Sequence, residues 1–323
     1  MPPLGIGLIG LGRHGMRYAR HLLDPAGDAR LVAVCRRNAA EGLAFATRHS
    51  LRFFEDYRDL VQANDVEAVV VVTPPSLAAP ICLEAVRVGK PLLVEKPLAC
   101  TGAEAREMVR AAESCGVPLM TAQTLRYDAA VLAAKARLVD VGLPQYLVLT
   151  CRVEPNPDAP SPSHDYGGRG VLLEIGIHLL DLIRFLTGDE IGEVRCELER
   201  PLPGQPESRA FVSLRTSRRL PCLVDVSRVG SGRTGRIEWI GSDGQVTGDW
   251  LDHRVRRLSR HQAVEEWICH DQPTIVTTLS AFVGALRSGT PVPISGRDGL
   301  RAVEIADACY ESAEIGRWVS LLC

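Results

Sequence analysis

Residues 4–15 read LGIGLIGLGRHG. The first seven form an apolar run without alternation, the pattern of a strand covered on both faces. It ends in Gly10-Leu11-Gly12-Arg13-His14-Gly15, a G-x-G-x-x-G turn, and helical spacing follows from about Arg13 to Leu23. Each glycine has a separate physical reason. Gly10 allows the tight turn, Gly12 lets the backbone approach a pyrophosphate, and Gly15 lets the helix pack on the strand, with the phosphates at the helix N-terminus. Strand, glycine turn, helix and a second strand ending near Cys35 together predict a dinucleotide site. Gly10, Gly12, Arg13, His14 and Gly15 are its first residues.

The pattern then repeats. Further apolar runs stand at 30–35 (RLVAVC), 68–72 (AVVVV), 91–94 (PLLV) and 117–121 (VPLMT). Helical stretches at 76–88 and 102–115 lie between them, with Gly89 and Gly116 as C-terminal stops. Such alternation predicts an N-terminal Rossmann fold, a doubly wound parallel sheet with right-handed crossovers. Ligands of these sheets lie outside the carboxyl ends of the strands. Two strands end there in Thr73-Pro74-Pro75 and Glu95-Lys96-Pro97, which adds Thr73, Pro74, Glu95 and Lys96 to the cofactor side. Lys96 is conspicuous because Lys90, Lys96 and Lys135 are the only lysines in an arginine-rich chain. A position that keeps Lys where Arg is the habit wants a compact ammonium rather than a guanidinium fork. The second strand reads LVAVCRRN. Arg36 and Arg37 stand where a dinucleotide domain that prefers NAD carries a carboxylate for the ribose 2′-hydroxyl, so the reading is NADP in preference to NAD.

After residue 140 the pattern changes. Over 191–270 the runs alternate with period two, as in Val212 and Leu214 against Phe211, Ser213 and Arg215, with turns such as Ser242-Asp243-Gly244. This predicts a C-terminal α/β domain with a mainly antiparallel, open sheet, closed by helices at about 273–288 and 297–314. The division falls at 1–122 and 123–323, and the closing helix could pack back on the first domain. A Pro- and Gly-rich stretch at 153–170 reads as a loop over a cleft. It leads into VLLEIGIHLLDLIRFLT at 171–187, a helix apolar over nearly all its circumference. At about 100° per residue its Glu174, His178 and Asp181 fall on one narrow stripe. A carboxylate one turn from an imidazole can fix its tautomer and stabilise its protonated form, as a general base requires.

Composition excludes other classes. A net charge of -2 and a pI near 6.5 give no electrostatic case for nucleic acid or an anionic membrane, and the clustered arginines of the second half read as solvated strand faces. The 10 cysteines contain no C-x-x-C pair and read as reduced structural thiols; no metal site is expected. Without a leader-like N-terminus or an apolar run approaching ~18 residues, the expectation is a cytoplasmic protein.

GLGRHG, TPP at 73–75, EKP at 95–97 and GGRGVLLEIGIHLLDL at 167–182 together resemble the glucose-fructose oxidoreductase, inositol dehydrogenase and rhizopine-catabolism (Gfo/Idh/MocA) family of NAD(P)-dependent oxidoreductases. SGRDGLRAVEIADACYESAEIGRWV at 295–319 is similar to the family's ending. The resemblance implies hydride transfer between the nicotinamide and a secondary alcohol or ketone of a sugar, cyclitol or related polyol. It implies Lys96 as active-site lysine, His178 as catalytic histidine and Glu174 as the carboxylate one turn earlier, with Arg126, Tyr127 and Asp181 on the substrate side. It also implies a homo-oligomer, dimer or tetramer, built on the open sheet, among whose strands Trp239 and Trp250 sit on faces that the sequence does not assign. The chain departs from the pattern at Glu174, usually Asp, at Ala78, often His, and at Thr124, often Asn. An alternative is a non-catalytic NAD(P)-sensing regulatory protein of the same fold. Retention of both Lys96 and His178 favours the enzyme.

Overall fold

The computed structural model describes residues 2–24, 28–155, 165–259, 262–270 and 272–321. The chain forms two compact units, one of residues 1–123 and 275–300, the other of 124–274 and 301–323.

In the first unit strands and helices alternate: β1 (Leu4–Ile9), α1 (Gly15–Leu22), β2 (Ala29–Cys35), α2 (Ala39–Arg48), β3 (Arg52–Phe54), α3 (Tyr57–Gln62), β4 (Ala68–Val71), α4 (Ala78–Arg87), β5 (Leu92–Glu95), α5 (Gly102–Ser114) and β6 (Leu119–Ala122). The six strands pair in parallel in the order β3-β2-β1-β4-β5-β6. Consecutive residues are buried on both faces, including Ile6, Leu8, Val69, Val70, Leu92 and Leu93, as the unalternating runs require. Each such side chain contributes about 1.5–3 kcal/mol of transfer free energy. Thr101 and Glu104 close a capping box at the start of α5. Gly89 and Gly116 take positive φ, 74° and 64°, just beyond α4 and α5. The stretch 36–62 holds α2, α3 and β3, the last a three-residue edge strand with two half-buried phenylalanines.

The second unit contains α6 (Ala129–Lys135), β7 (Pro144–Arg152), a π-helical turn over Leu172–Gly176 leading into α7 (Ile177–Thr187), then β8 (Ile191–Glu199), β9 (Arg209–Thr216), β10 (Pro221–Ser227), β11 (Thr234–Gly241), β12 (Gly244–Asp249), β13 (Arg254–Ser259) and β14 (Gln262–Ile268). After α8 (Thr274–Ser288), which from Ile275 on belongs to the first unit, and α9 (Gly296–Ile315), β15 (Val319–Ser320) closes a nine-stranded sheet, order β14-β13-β12-β11-β7-β10-β9-β8-β15. The unit division falls inside α9, after Leu300. The sheet is antiparallel except where β7 runs parallel to β10. β7 immediately precedes the 153–170 stretch, and its first residues, Pro144, Gln145 and Tyr146, are exposed.

One face of this sheet is buried through Leu147, Leu149, Val212, Leu214, Val224 and Ile237. Trp239 pairs with Leu147 across β11 and β7 and belongs to that covered face, and Trp250 is buried as well. The two tryptophans, whose faces the sequence left open, therefore belong to the core. On the other face Tyr146, Phe211 and Leu223 are exposed among ion pairs such as Arg152 with Asp225, Arg236 with Asp249 and Arg256 with Glu266. Residues 156–164 of the expected loop at 153–170 lie outside the described residues.

Candidate active site

In the first unit the glycine turn is built as its spacing demands. Gly10 has φ 101°, and a Cβ there would strike the Val72 carbonyl. A Cβ on Gly15 would overlap the carbonyl oxygen of Gly10, so only glycine lets α1 start this close to β1. At Gly12 a Cβ would meet nothing within 4 Å, which leaves open space above the turn. Thr73, at the end of β4, has a buried Oγ1 with no hydrogen-bond partner among the described residues, and Pro74 beside it is half-buried. An open glycine cradle and an orphaned hydroxyl on neighbouring strands fit a dinucleotide. Arg13 and Arg37 are exposed. Arg36 is held: its Nη1 donates to the Leu11 carbonyl at 2.9 Å and its Nη2 pairs with Glu41.

Glu95 ties this turn to the lysine. Only 8% exposed, its Oε1 accepts from the Tyr18 hydroxyl at 2.6 Å and lies 2.8 Å from His14 Nε2, and its Oε2 accepts the Lys96 amide at 2.9 Å. His14 belongs to the glycine turn, Tyr18 to α1 and Lys96 to the end of β5. Burial alone would raise the Glu95 carboxyl, but the His14 hydrogen bond and charge, the Lys96 ammonium and the Tyr18 hydroxyl outweigh it and hold the group below its ordinary range. Burial first, and then the neighbouring Glu95 charge, push the Tyr18 hydroxyl well up, so it remains a donor. Lys96 itself is half-buried and its peptide bond to Pro97 is cis.

In the second unit Glu174 lies in the π-helical turn and His178 in the first turn of α7, both half-buried. Glu174 Oε1 accepts from Arg228 Nη2 at 2.7 Å. Asp181, placed with them by regular helical spacing, is 1% exposed and receives both arms of Arg126, Nε at 2.7 Å and Nη2 at 2.5 Å. The Asp181 carboxylate is thus buried in an ion pair, whereas Glu174 and His178 stay half-buried. Tyr127 is half-buried, its hydroxyl lacks a hydrogen-bond partner among the described residues, and burial raises its pKa.

Sequence reasoning missed two residues here. Arg228 lies 54 positions from Glu174, and its arginine-rich surroundings hid it. Gln123, at the end of β6, is 1% exposed with neither amide atom partnered among the described residues; a polar residue closing an apolar run was the available signal. The described cysteines form no disulfide, and burial pushes the Cys82 and Cys222 thiols up to about 12, which makes those two inert. Among the described residues no cluster could hold a metal ion and no helix is long and apolar enough to cross a membrane.

Two family signatures cover most of the chain: an oxidoreductase family's NAD-binding Rossmann fold matches residues 4–123, and the same family's C-terminal alpha/beta domain matches 162–321. The inositol 2-dehydrogenase of Acidothermus cellulolyticus is 30% identical over 318 residues, covering 95% of this chain and 92% of the relative. The inositol 2-dehydrogenase of Rubrobacter xylanophilus is 29% identical over 328 residues, covering 97% and 92%. Among solved structures, a probable dehydrogenase from Thermotoga maritima superposes with a TM-score of 0.84 at 26% identity, covering 98% of both chains. With the glycine turn, the EKP strand end and the glycine-to-histidine helix in place, the chain belongs to the Gfo/Idh/MocA oxidoreductase family, with that family's NAD(P)-binding Rossmann domain and C-terminal α/β domain.

Proposed function

We propose that the protein is a dehydrogenase that interconverts a secondary alcohol and a ketone on a cyclitol, sugar or related polyol, with NADP preferred to NAD. The observation that carries this reading is the Glu95 network, which builds the nucleotide turn and the Lys96 strand end as one piece. The inositol 2-dehydrogenase names of two relatives support the substrate class.

Gly10, Gly12, Gly15, Thr73 and Arg36 would hold the dinucleotide, whose nicotinamide would supply the hydride acceptor. In oxidation His178 accepts the hydroxyl proton, and Lys96 holds the oxygen and offsets its developing negative charge. Glu174, paired with Arg228, stands one turn before the imidazole. Tyr127 offers a neutral hydroxyl to a substrate oxygen. Arg126 and Asp181 engage each other and brace that segment of the substrate side. The cation at Arg36, with no carboxylate ending β2, supports the 2′-phosphate. The exposed Tyr146, Phe211 and Leu223 and the ion pairs around them suit the open sheet face to pairing with a second copy of this chain in the cytoplasm.

The test is reduced-nicotinamide absorbance with NADP or NAD and a panel of inositols, aldoses and polyols. Turnover of at least one of them that depends on His178 is expected. Tight cofactor binding with no turnover of any alcohol or ketone would instead favour a nucleotide sensor.

A further inference from the structure

The segment that carries Glu174 and His178 has an unusual beginning. The amide N–H groups of Gly170, Val171 and Leu172 come before or at the first turn of the π-helical segment, where no intrahelical acceptor serves them. All three are taken by one residue from the loop between β8 and β9. Glu207 Oε2 accepts Gly170 N at 2.9 Å, Glu207 Oε1 accepts Leu172 N at 3.1 Å, and the Glu207 backbone carbonyl accepts Val171 N at 3.0 Å. Glu207 is 3% exposed. Its Oε1 also accepts the Tyr310 hydroxyl at 2.7 Å, and the Arg169 guanidinium lies 4.5 Å from the Tyr310 ring centre and pairs with Asp307 at 2.5 Å. Gly170 is glycine because a Cβ there would run into the Glu207 backbone.

A helix start is normally capped by the residue just before it. Here the cap is a buried carboxylate 35 residues away from Leu172, braced by α9. Such a cap sets where the helix begins, and therefore where the next turn places its side chains. Glu174 N donates to Gly170 O at 2.9 Å, so the residue fixed by Glu207 is also the one on which the Glu174 turn closes.

We infer that Glu207 is a positioning residue for the reaction: by capping residues 170–172 it fixes the π turn and the first turn of α7, and so the placement of Glu174 and His178. This rests on the reading of His178 as the acid-base group. Buried carboxylate acceptors of amide N–H groups hold their partners through charge-assisted bonds, and small misplacements of a reacting group are costly in rate.

The experiment compares Glu207→Gln, Tyr310→Phe and His178→Ala with the parent in the full-length protein. Glutamine keeps the shape, but its amide nitrogen cannot accept from one of the two N–H groups. The expected result for Glu207→Gln is a kcat lower by about 10-fold or more, an unchanged Kd for the cofactor, a shifted acid limb of the kcat–pH profile, and faster amide exchange at 170–172 with β10 unchanged. Tyr310→Phe should move the same readouts by a smaller factor, and it decides the matter if Glu207→Gln does not fold. Loss of thermal stability with kcat, acid limb and local exchange unchanged would make Glu207 merely structural and overturn the inference. An impaired His178→Ala beside a normal Glu207→Gln sinks the inference alone. A fully active His178→Ala sinks the acid-base reading, and this inference with it.

Discussion

The Lys96 strand end and the His178 helix are fixed in place by different means. At Lys96 the fixing residue is its sequence neighbour: Glu95 accepts the Lys96 amide and gathers His14 and Tyr18 from the adjoining turn and helix. At His178 the fixing residues are remote, since Arg228 engages Glu174 and Glu207 caps residues 170–172. A side chain at a strand end inherits its place from the sheet. One on a helix that begins with a π turn depends on whatever sets that turn.

The largest expected effect tests the helix. His178→Ala should lower kcat by ~10²- to 10⁴-fold, the range for losing a positioned acid-base group, with cofactor affinity nearly unchanged. Steady-state kinetics with a fluorescence titration of the cofactor separates the two quantities, and a near-normal kcat would remove the imidazole from the chemistry. The strand end comes next. Lys96→Arg should cost about 10²-fold in kcat/KM, on the scale of losing one donor to a developing oxyanion. A planar fork does not place its charge where the ammonium was, and full activity in this variant would show that only the charge mattered.

This contrast also explains what the sequence made legible. The parallel sheet and the first-unit site could be read because their signals are contiguous: the unbroken apolar runs, the glycine turn, and Glu95 next to Lys96. The stripe on the 171–187 helix could be read only in part. Periodicity places Glu174, His178 and Asp181 together, but Asp181 is buried and paired with Arg126, a tertiary contact that periodicity does not reveal. Neither Arg228 nor Glu207 has a local signature, because each acts through a tertiary contact. Trp239 and Trp250 show the same limit, since alternation reveals that a strand has two faces without saying which one is covered.

A third test uses acid. Because the Glu95 carboxyl is held below its ordinary range, the folded first unit binds its proton less readily than the unfolded chain. The resulting stability is fully present above the unfolded value of about 4.3 and is lost as pH falls through the folded value. Calorimetry from pH 3 to 7 should show the parent losing stability below about pH 4. Glu95→Gln should be less stable at pH 7 and show a shallower acid dependence. Parallel acid curves for the two proteins would mean that the buried carboxylate does not link the turn to the strand end as described.

The smallest expected effect concerns cofactor choice, where first-unit geometry is only partly committed. Arg36 donates to the Leu11 carbonyl and is therefore oriented beside the glycine turn, but its Nη2 is shared with Glu41. Arg36 is 28% exposed and Glu41 55%, so solvent screens the pair and its net contribution is about 0–1 kcal/mol. A 2′-phosphate, with more charge and several acceptor oxygens, can compete for that guanidinium. Arg36→Asp should shift relative affinity from NADP towards NAD by ~1–3 kcal/mol, the scale of a hydrogen bond to a charged group. Glu41→Gln should act in the opposite direction and more weakly, tightening NADP by about twofold to fivefold and leaving NAD unchanged, because only the carboxylate competing with the phosphate is removed. Paired titrations of each protein with both dinucleotides measure the two shifts, and a wild type that binds NAD as tightly as NADP would overturn the preference whatever the variants do.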